Sequence, residues 1–229
     1  MPDRTPHSAG ATRAEWAVLS DMDGTLLDTE STWLLVVEEF VRRHSGADDP
    51  ALVSTLRGLD LDHAAATLRS RLSLEMTTAA VAEELDRRSI EAYDGGVSWT
   101  PGARSLLTAL AAAQVPLALV TSSPRHWVER FAQAVDLSAF DVIVTADDTP
   151  RTKPAPDPYL RAAERLDVAA HRCVALEDSL VGATSAVAAG CTTLVVGSGK
   201  PVPDTLQVGS LIAVDVRMLR AVARGSMPS

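Results

Sequence analysis

Cysteine is scarce. Cys173 and Cys191 are the only two in 229 residues, they stand in separate apolar runs, and neither belongs to a CxxC or Cys/His ligand pattern. This excludes a disulfide-stapled scaffold and a structural zinc site, and predicts buried, reduced core thiols, with a disulfide as the alternative. Aromatic residues amount to only 4%, so alanine and small aliphatic side chains must build most of the core, which suits helices packed closely on a sheet. Positive charge is in deficit, with 21 Lys and Arg against 30 Asp and Glu and a formal charge of -9. That balance opposes binding to nucleic acid and to anionic membranes, and neither partner is expected. No apolar run reaches the ~18 residues of a membrane span, because Gln114 and Pro116 interrupt the best candidate at Ala109 to Val120. Residues 1–14 lack the apolar centre of a signal peptide and carry Pro2, Pro6 and Gly10, which predicts a flexible tail on a cytoplasmic protein. What is left is an ordinary globular composition, 46% hydrophobic and 22% charged, in a chain long enough for one or two domains.

The first apolar run, Trp16 to Leu19, ends abruptly in the polar, Gly-containing string DMDGTLLDTE from Asp21 to Glu30, the pattern of a buried strand opening into a loop. From Ser31 to Tyr93 the spacing is helical, with Trp33, Leu34, Val37, Phe40 and Val41 on one stripe and no convincing strand. Beyond Thr100-Pro101-Gly102 strands and helices alternate. Strands are predicted over Pro116 to Val120, Asp141 to Thr145, Cys173 to Leu176 and Thr193 to Val196. Helices are predicted over Ala103 to Ala113, Pro124 to Ala134, Pro156 to Leu166 and Ser179 to Ala189. Such alternation predicts an α/β fold, a Rossmann-like parallel sheet with helices on both faces, interrupted after its first strand by an all-helical cap. The expected division is residues 15–30 and 95–229 as core and 31–94 as cap.

In an open parallel sheet the ligand crevice lies beyond the carboxyl ends of the strands. Asp21 and Asp23 follow the first predicted strand, Thr121-Ser122-Ser123 the second and Glu177-Asp178 the fourth, while Lys153 lies in the loop after the third. Four carboxylates gathered at one sheet edge repel one another unless some are protonated or a hard cation neutralises them. Magnesium fits best, since it takes carboxylate, carbonyl and water oxygens together with a substrate phosphate. Each feature alone has an ordinary explanation, whether a turn at Asp-x-Asp-Gly, a solvated Lys153 or a helix cap at Ser179. Chance turns and caps give no reason for their order on successive strand ends.

DMDGT (Asp21 to Thr25), Thr121, KPAPD (Lys153 to Asp157) and EDS (Glu177 to Ser179) resemble the four motifs of the haloacid dehalogenase superfamily. The likeness runs from Asp21 to Val196. It is nearest to the small phosphatases and phosphomutases with a helical cap, typified by β-phosphoglucomutase and the sugar-phosphate phosphatases. The resemblance implies Asp21 as nucleophile, forming an aspartyl-phosphate, and Asp23 as general acid and base. Thr121 and Ser122 would contact phosphoryl oxygens. Lys153 would pair with Asp21 and with the phosphoryl charge. Asp178, helped by Glu177, would hold Mg²⁺ with Asp21 and the Asp23 carbonyl.

The cap of this subfamily sets specificity, and Leu56-Arg57-Gly58 resembles its specificity loop, which makes Arg57 and Gly58 candidate substrate contacts. Phosphomutases of this type carry a cap histidine, arginine and lysine, where this chain has Trp33, Leu61 and the neighbourhood of Glu83 and Arg87. Missing cap cations favour a simple phosphatase, with phosphomutase as the first alternative and a phospho-receiver-like signalling protein as a more distant one. The expected substrate is a small phosphorylated metabolite, a sugar or polyol phosphate, and the expected state is a monomer.

Overall fold

The computed structural model describes residues 14–93, 96–197 and 201–226. Most of the expected tail, residues 1–13, and part of the loop at Gly197 to Pro203 lie outside the described residues. Six parallel strands form one sheet: β1 (Ala17–Ser20), β2 (Leu117–Val120), β3 (Val142–Val144), β4 (Cys173–Glu177), β5 (Thr192–Val196) and β6 (Leu206–Val208), in the order β3-β2-β1-β4-β5-β6. Every residue of β1, β2 and β4 is buried, as a sheet covered on both faces requires. β6 was not expected from the sequence. It is three residues long, polar at Gln207 and at the sheet edge, so it lacks the continuous apolar run that marks the other strands.

Alternate side chains of each strand enter different cores. Val18, Leu117, Leu119 and Val174 join the larger cluster with helices α5 (Ala103–Ala112) and α9 (Val216–Ala223), the second of these also unforeseen. Ala17, Leu19, Ala118, Val120 and Ala175 face helix α7 (Asp157–Arg165) and Ala186 of α8 (Leu180–Ala188). The small side chains on this second face allow the close helix approach expected from an aromatic-poor composition. Helix α6 (Arg125–Phe131) follows β2. It is shorter than predicted, since the chain turns from Ala132 onward.

Between β1 and α5 stand four helices, α1 (Glu30–Ser45), α2 (Pro50–Ser54), α3 (Leu61–Arg71) and α4 (Thr78–Tyr93), with α4 packed on both α1 and α3. The two connections to this block run side by side. Leu27 bridges Trp99 in antiparallel fashion, Asp28 N–H donates to the Ser98 carbonyl at 2.9 Å, and Thr100 N–H donates to that of Leu26 at 2.8 Å. Trp99 thus lies at the junction. Among the described residues no helix is long and apolar enough to cross a membrane.

Cys173 opens β4 and Cys191 directly precedes β5, both buried and free. Burial pushes each thiol up to about 12, and the thiolate is the reactive form. Neither thiol is therefore expected to react with Ellman's reagent at pH 8 in the native protein, and both should react once guanidinium unfolds it.

Candidate active site

The loop after β1 is closed by its own backbone. Asp21 N–H donates to the Leu176 carbonyl at 2.9 Å, extending the sheet by one residue. Leu26 and Leu27 N–H both reach the Met22 carbonyl, at 3.0 and 2.9 Å, and Gly24 N–H reaches that of Leu27 at 2.8 Å. Gly24 adopts φ +82°, where glycine carries no steric cost, and a Cβ there would collide with the Asp178 carboxylate. The Asp-x-Asp-Gly turn and the acid loop after β4 therefore interlock through the missing side chain.

Behind this turn lies a buried charge network. The Lys153 ammonium donates to Asp21 Oδ1 at 2.7 Å and to Glu177 Oε1 at 2.6 Å, with side-chain exposures of 3%, 8% and 0% respectively. Tyr159 Oη also donates to Glu177 Oε1, at 2.5 Å, and the Tyr159 ring lies 5.2 Å from the ammonium. Burial disfavours the charged lysine, yet the Asp21 and Glu177 carboxylates outweigh it and raise the Lys153 pKa, so it is held as a cation. Glu177 is the last residue of β4 rather than the first of the loop. Strand alternation carries its side chain into the core beside Gly182, where any Cβ would strike its carboxylate. Ser179 caps α8, accepting from Gly182 N–H at 3.0 Å.

Asp23 is held by three hydroxyls from separate segments. Thr29 Oγ1 donates to Oδ1 at 2.6 Å, while Thr121 Oγ1 and Ser123 Oγ donate to Oδ2 at 2.7 and 2.9 Å. Thr29 stands at the N-cap of α1 without capping it, its hydroxyl being turned to Asp23 instead. The Thr121 hydroxyl, expected at the phosphoryl oxygens, also bonds Asp23 here, and it accepts from Ser123 N–H at 2.9 Å. Ser122 Oγ is buried without a partner, and so is Asp21 Oδ2. Both residues line the same cavity.

That cavity measures about 60 Å³, room for about four to six waters. Asp21, Asp23, Ser122, Lys153 and Asp178 line it from the sheet side, and Glu30, Trp33, Gly58, Leu59, Asp60, Leu61 and Tyr93 from the helical block. Trp127 of α6 completes the wall, its ring centroid 5.8 Å from that of Trp33 and 5.9 Å from that of Tyr93. Asp86 of α4 accepts from Trp127 Nε1 at 2.6 Å and meets His126 Nε2 at 2.8 Å. Thr152 donates to Asp60, tying the Lys153 loop to α3. Gly58 lies against Ser179. Arg57 is not among the lining residues; its side chain is 56% exposed and its Nη1 pairs with Glu30 Oε2 at 2.8 Å.

Sequence reasoning gave no role to Thr29 or Tyr159 and named Ser123 only as part of the string after the second strand, although all three lie close to the charge network. Polar strings flanking the motifs were the available signal for Thr29 and Ser123. Tyr159 gave none, being an apparent core residue of α7.

Asp21, Glu177 and Asp178 each offer a carboxylate oxygen, all within 4.8 Å of one another. Burial, then the neighbouring Glu177 and Glu30 charges, pushes Asp178 up to about 8. Burial also raises Asp21 despite the pull of Lys153, with Glu177, Asp178 and Asp23 adding to the rise. One lysine does not neutralise this group. An unpartnered buried carboxylate oxygen within an all-oxygen donor set fits a hard divalent cation such as Mg²⁺.

The chain matches the family described as haloacid dehalogenase-like hydrolase over residues 18–196. It is 34% identical to hexitol phosphatase A of Escherichia coli over 195 residues, covering 83% of this chain and 87% of that protein. Identity to the validoxylamine A 7'-phosphate phosphatase of Streptomyces hygroscopicus subsp. limoneus is 30%, over 75% of this chain and 81% of that one. Among solved structures, the β-phosphoglucomutase of Clostridium difficile shares the fold with a TM-score of 0.82 at 20% identity, over 93% of this chain and 98% of that one. Strand order, the acid-lysine network at the strand ends and these matches agree: the chain belongs to the haloacid dehalogenase-like hydrolases, as a phosphatase of that family.

Proposed function

We propose that this enzyme hydrolyses the phosphoric monoester of a small sugar or polyol, with residues 15–30 and 95–229 as the catalytic core and 31–94 as a cap over the leaving group. The observation that carries this reading is the Asp21 carboxylate, fixed through Oδ1 by Lys153 and left without a partner at the buried Oδ2. A carboxylate oxygen that accepts no hydrogen bond and faces the cavity is suited to attack phosphorus. The bond formed is Asp21 O–P and the bond broken is P–O to the sugar, giving an aspartyl-phosphate. The leaving oxygen takes its proton from Asp23, two residues on, and the resulting Asp23 carboxylate then takes a proton from water as that water attacks the same phosphorus. The Asp21 O–P bond breaks, inorganic phosphate leaves and Asp21 is restored.

The hydroxyls of Thr29, Thr121 and Ser123 fix the position of the Asp23 side chain, which must take up a proton before it can serve the leaving oxygen. Lys153 offers positive charge beside the phosphoryl oxygens, Ser122 an unengaged hydroxyl, and Glu177 with Tyr159 orients Lys153 from behind. Asp21, Asp178 and the Asp23 carbonyl would hold Mg²⁺, with Glu177 adjacent. When bound, the cation supplies neutralising charge to phosphate and carboxylates. The cap side of the cavity contributes aromatic and aliphatic walls that exclude water. No observation favours the phosphomutase reading, because Trp33 and Leu61 line the cavity where a mutase's cap would supply cations.

Phosphate release from glucitol 6-phosphate and from p-nitrophenyl phosphate is expected to require Mg²⁺ and to stop in EDTA. Asp21→Asn should lower turnover of both by about a thousandfold or more, with an unchanged circular dichroism spectrum. Turnover of the variant at the wild-type rate would overturn the mechanism. Lys153→Ala removes the partner of two buried carboxylates. Besides losing activity it should lose about 3–5 kcal/mol of stability in urea denaturation.

A further inference from the structure

Charge is distributed unevenly along the cavity. At the phosphate end the only cation among the lining residues, Lys153, is already shared by Asp21 and Glu177. At the end formed by the helical block the titratable groups lining the wall are Glu30, Asp60 and Tyr93, and the remaining surface is Trp33, Trp127 and leucine. Arg57 reaches Glu30 only at Oε2 and stands outside the lining. His63 bonds Asp60 while being itself 69% exposed. Glu30 is mostly shielded, with a side chain 18% exposed; burial raises its pKa, Arg57 offsets part of its charge, and Asp23, Asp28 and Asp178 lie near enough to add to the negative field. A leaving group with a carboxylate or a second phosphate would meet this field with no cation among the residues lining that end to pair it. A neutral polyol meets it as a hydroxyl donor and lays its C–H face on the indoles. A protonated amine gains both ion pairing and the aromatic faces of Trp33 and Trp127.

We propose that this cavity sorts phosphomonoesters by the charge of the leaving group, admitting neutral and ammonium-bearing polyols and rejecting anionic ones, with Glu30 as the sorting residue. The inference rests on the phosphatase reading above and deepens it, since it restricts the substrate class of the same site. Glu30 acts on the leaving group and takes no part in the proton or phosphoryl transfers. Its replacement by glutamine keeps the size of the side chain and an acceptor for Arg57 while deleting the charge.

The test compares four phosphates of different leaving-group charge: glucosamine 6-phosphate, glucitol 6-phosphate, phosphoglycolate and fructose 1,6-bisphosphate. kcat/KM is measured on the wild-type enzyme and on Glu30→Gln, with p-nitrophenyl phosphate as a common reference. Affinities for the same four compounds are measured by calorimetry on Asp21→Asn with Mg²⁺, alone and combined with Glu30→Gln. The expected wild-type order is ammonium-bearing, then neutral, then anionic, with about tenfold or more separating the neutral compound from the anionic pair. In Glu30→Gln that gap should shrink by about tenfold and the advantage of the amine should vanish. Anionic compounds used and bound as well as glucitol 6-phosphate by the wild type would overturn the inference. So would a gap that Glu30→Gln leaves unchanged. Failure of the phosphatase reading looks different, as no phosphate release from any compound including the reference, and the calorimetric order then decides the charge sorting by itself.

Discussion

A single buried ammonium holds the site together. Lys153 comes from the loop after β3, Asp21 from the end of β1 and Glu177 from the end of β4, so the two contacts at 2.7 and 2.6 Å join two strand ends and a loop at one point. Burying a lysine is unfavourable unless carboxylates surround it, and burying carboxylates is unfavourable without the lysine. Each partner therefore makes the others tolerable. The surplus negative charge that Lys153 leaves uncompensated is what fits the site to a divalent cation and a phosphoryl group.

The backbone around this pair is shaped by the same constraint. Gly24 has no side chain because the Asp178 carboxylate occupies the space, and Gly182 has none because the Glu177 carboxylate does. The three hydroxyls on Asp23 come from the β1 loop's exit at Thr29 and from the β2 loop at Thr121 and Ser123. Since Thr29 also begins the first helix of the inserted block, the acid-base carboxylate sits where core and helical block meet. Tyr93, at the other end of the block, donates to the Thr29 carbonyl at 3.1 Å. Both ends of the insertion thus converge on the reacting carboxylates.

Most of the core was legible in the sequence. Five buried strands show as short apolar runs ending in polar residues, because a sheet covered on both faces leaves no polar alternation within a strand. The motif residues Asp21, Asp23, Thr121, Lys153, Glu177 and Asp178 were legible through their order along the chain, and they converge at the carboxyl edge of the sheet. β6 was not, since a three-residue edge strand with a polar centre gives too weak a pattern; α9 was also missed, although its Asp215 cap and amphipathic spacing were there to be read. Tyr159 was hidden for another reason: an aromatic on a helix facing alanines looks like core, and its hydroxyl contact with Glu177 depends on a strand 18 residues further on.

The sequence by itself determined the alternation of strands and helices, the helical interruption after the first strand and the inventory of acids, hydroxyls and one lysine, because these follow from local periodicity and motif spacing. Tertiary structure alone decided which partner each group takes. It sends the Thr121 hydroxyl to Asp23, makes Glu177 a strand residue behind Lys153, and places Glu30, Asp60 and the indoles opposite the reacting centre while Arg57 turns outward. The physical reason is that hydrogen bonds, charge pairing and desolvation act across space between segments far apart in sequence, where neither propensity nor spacing carries information about them.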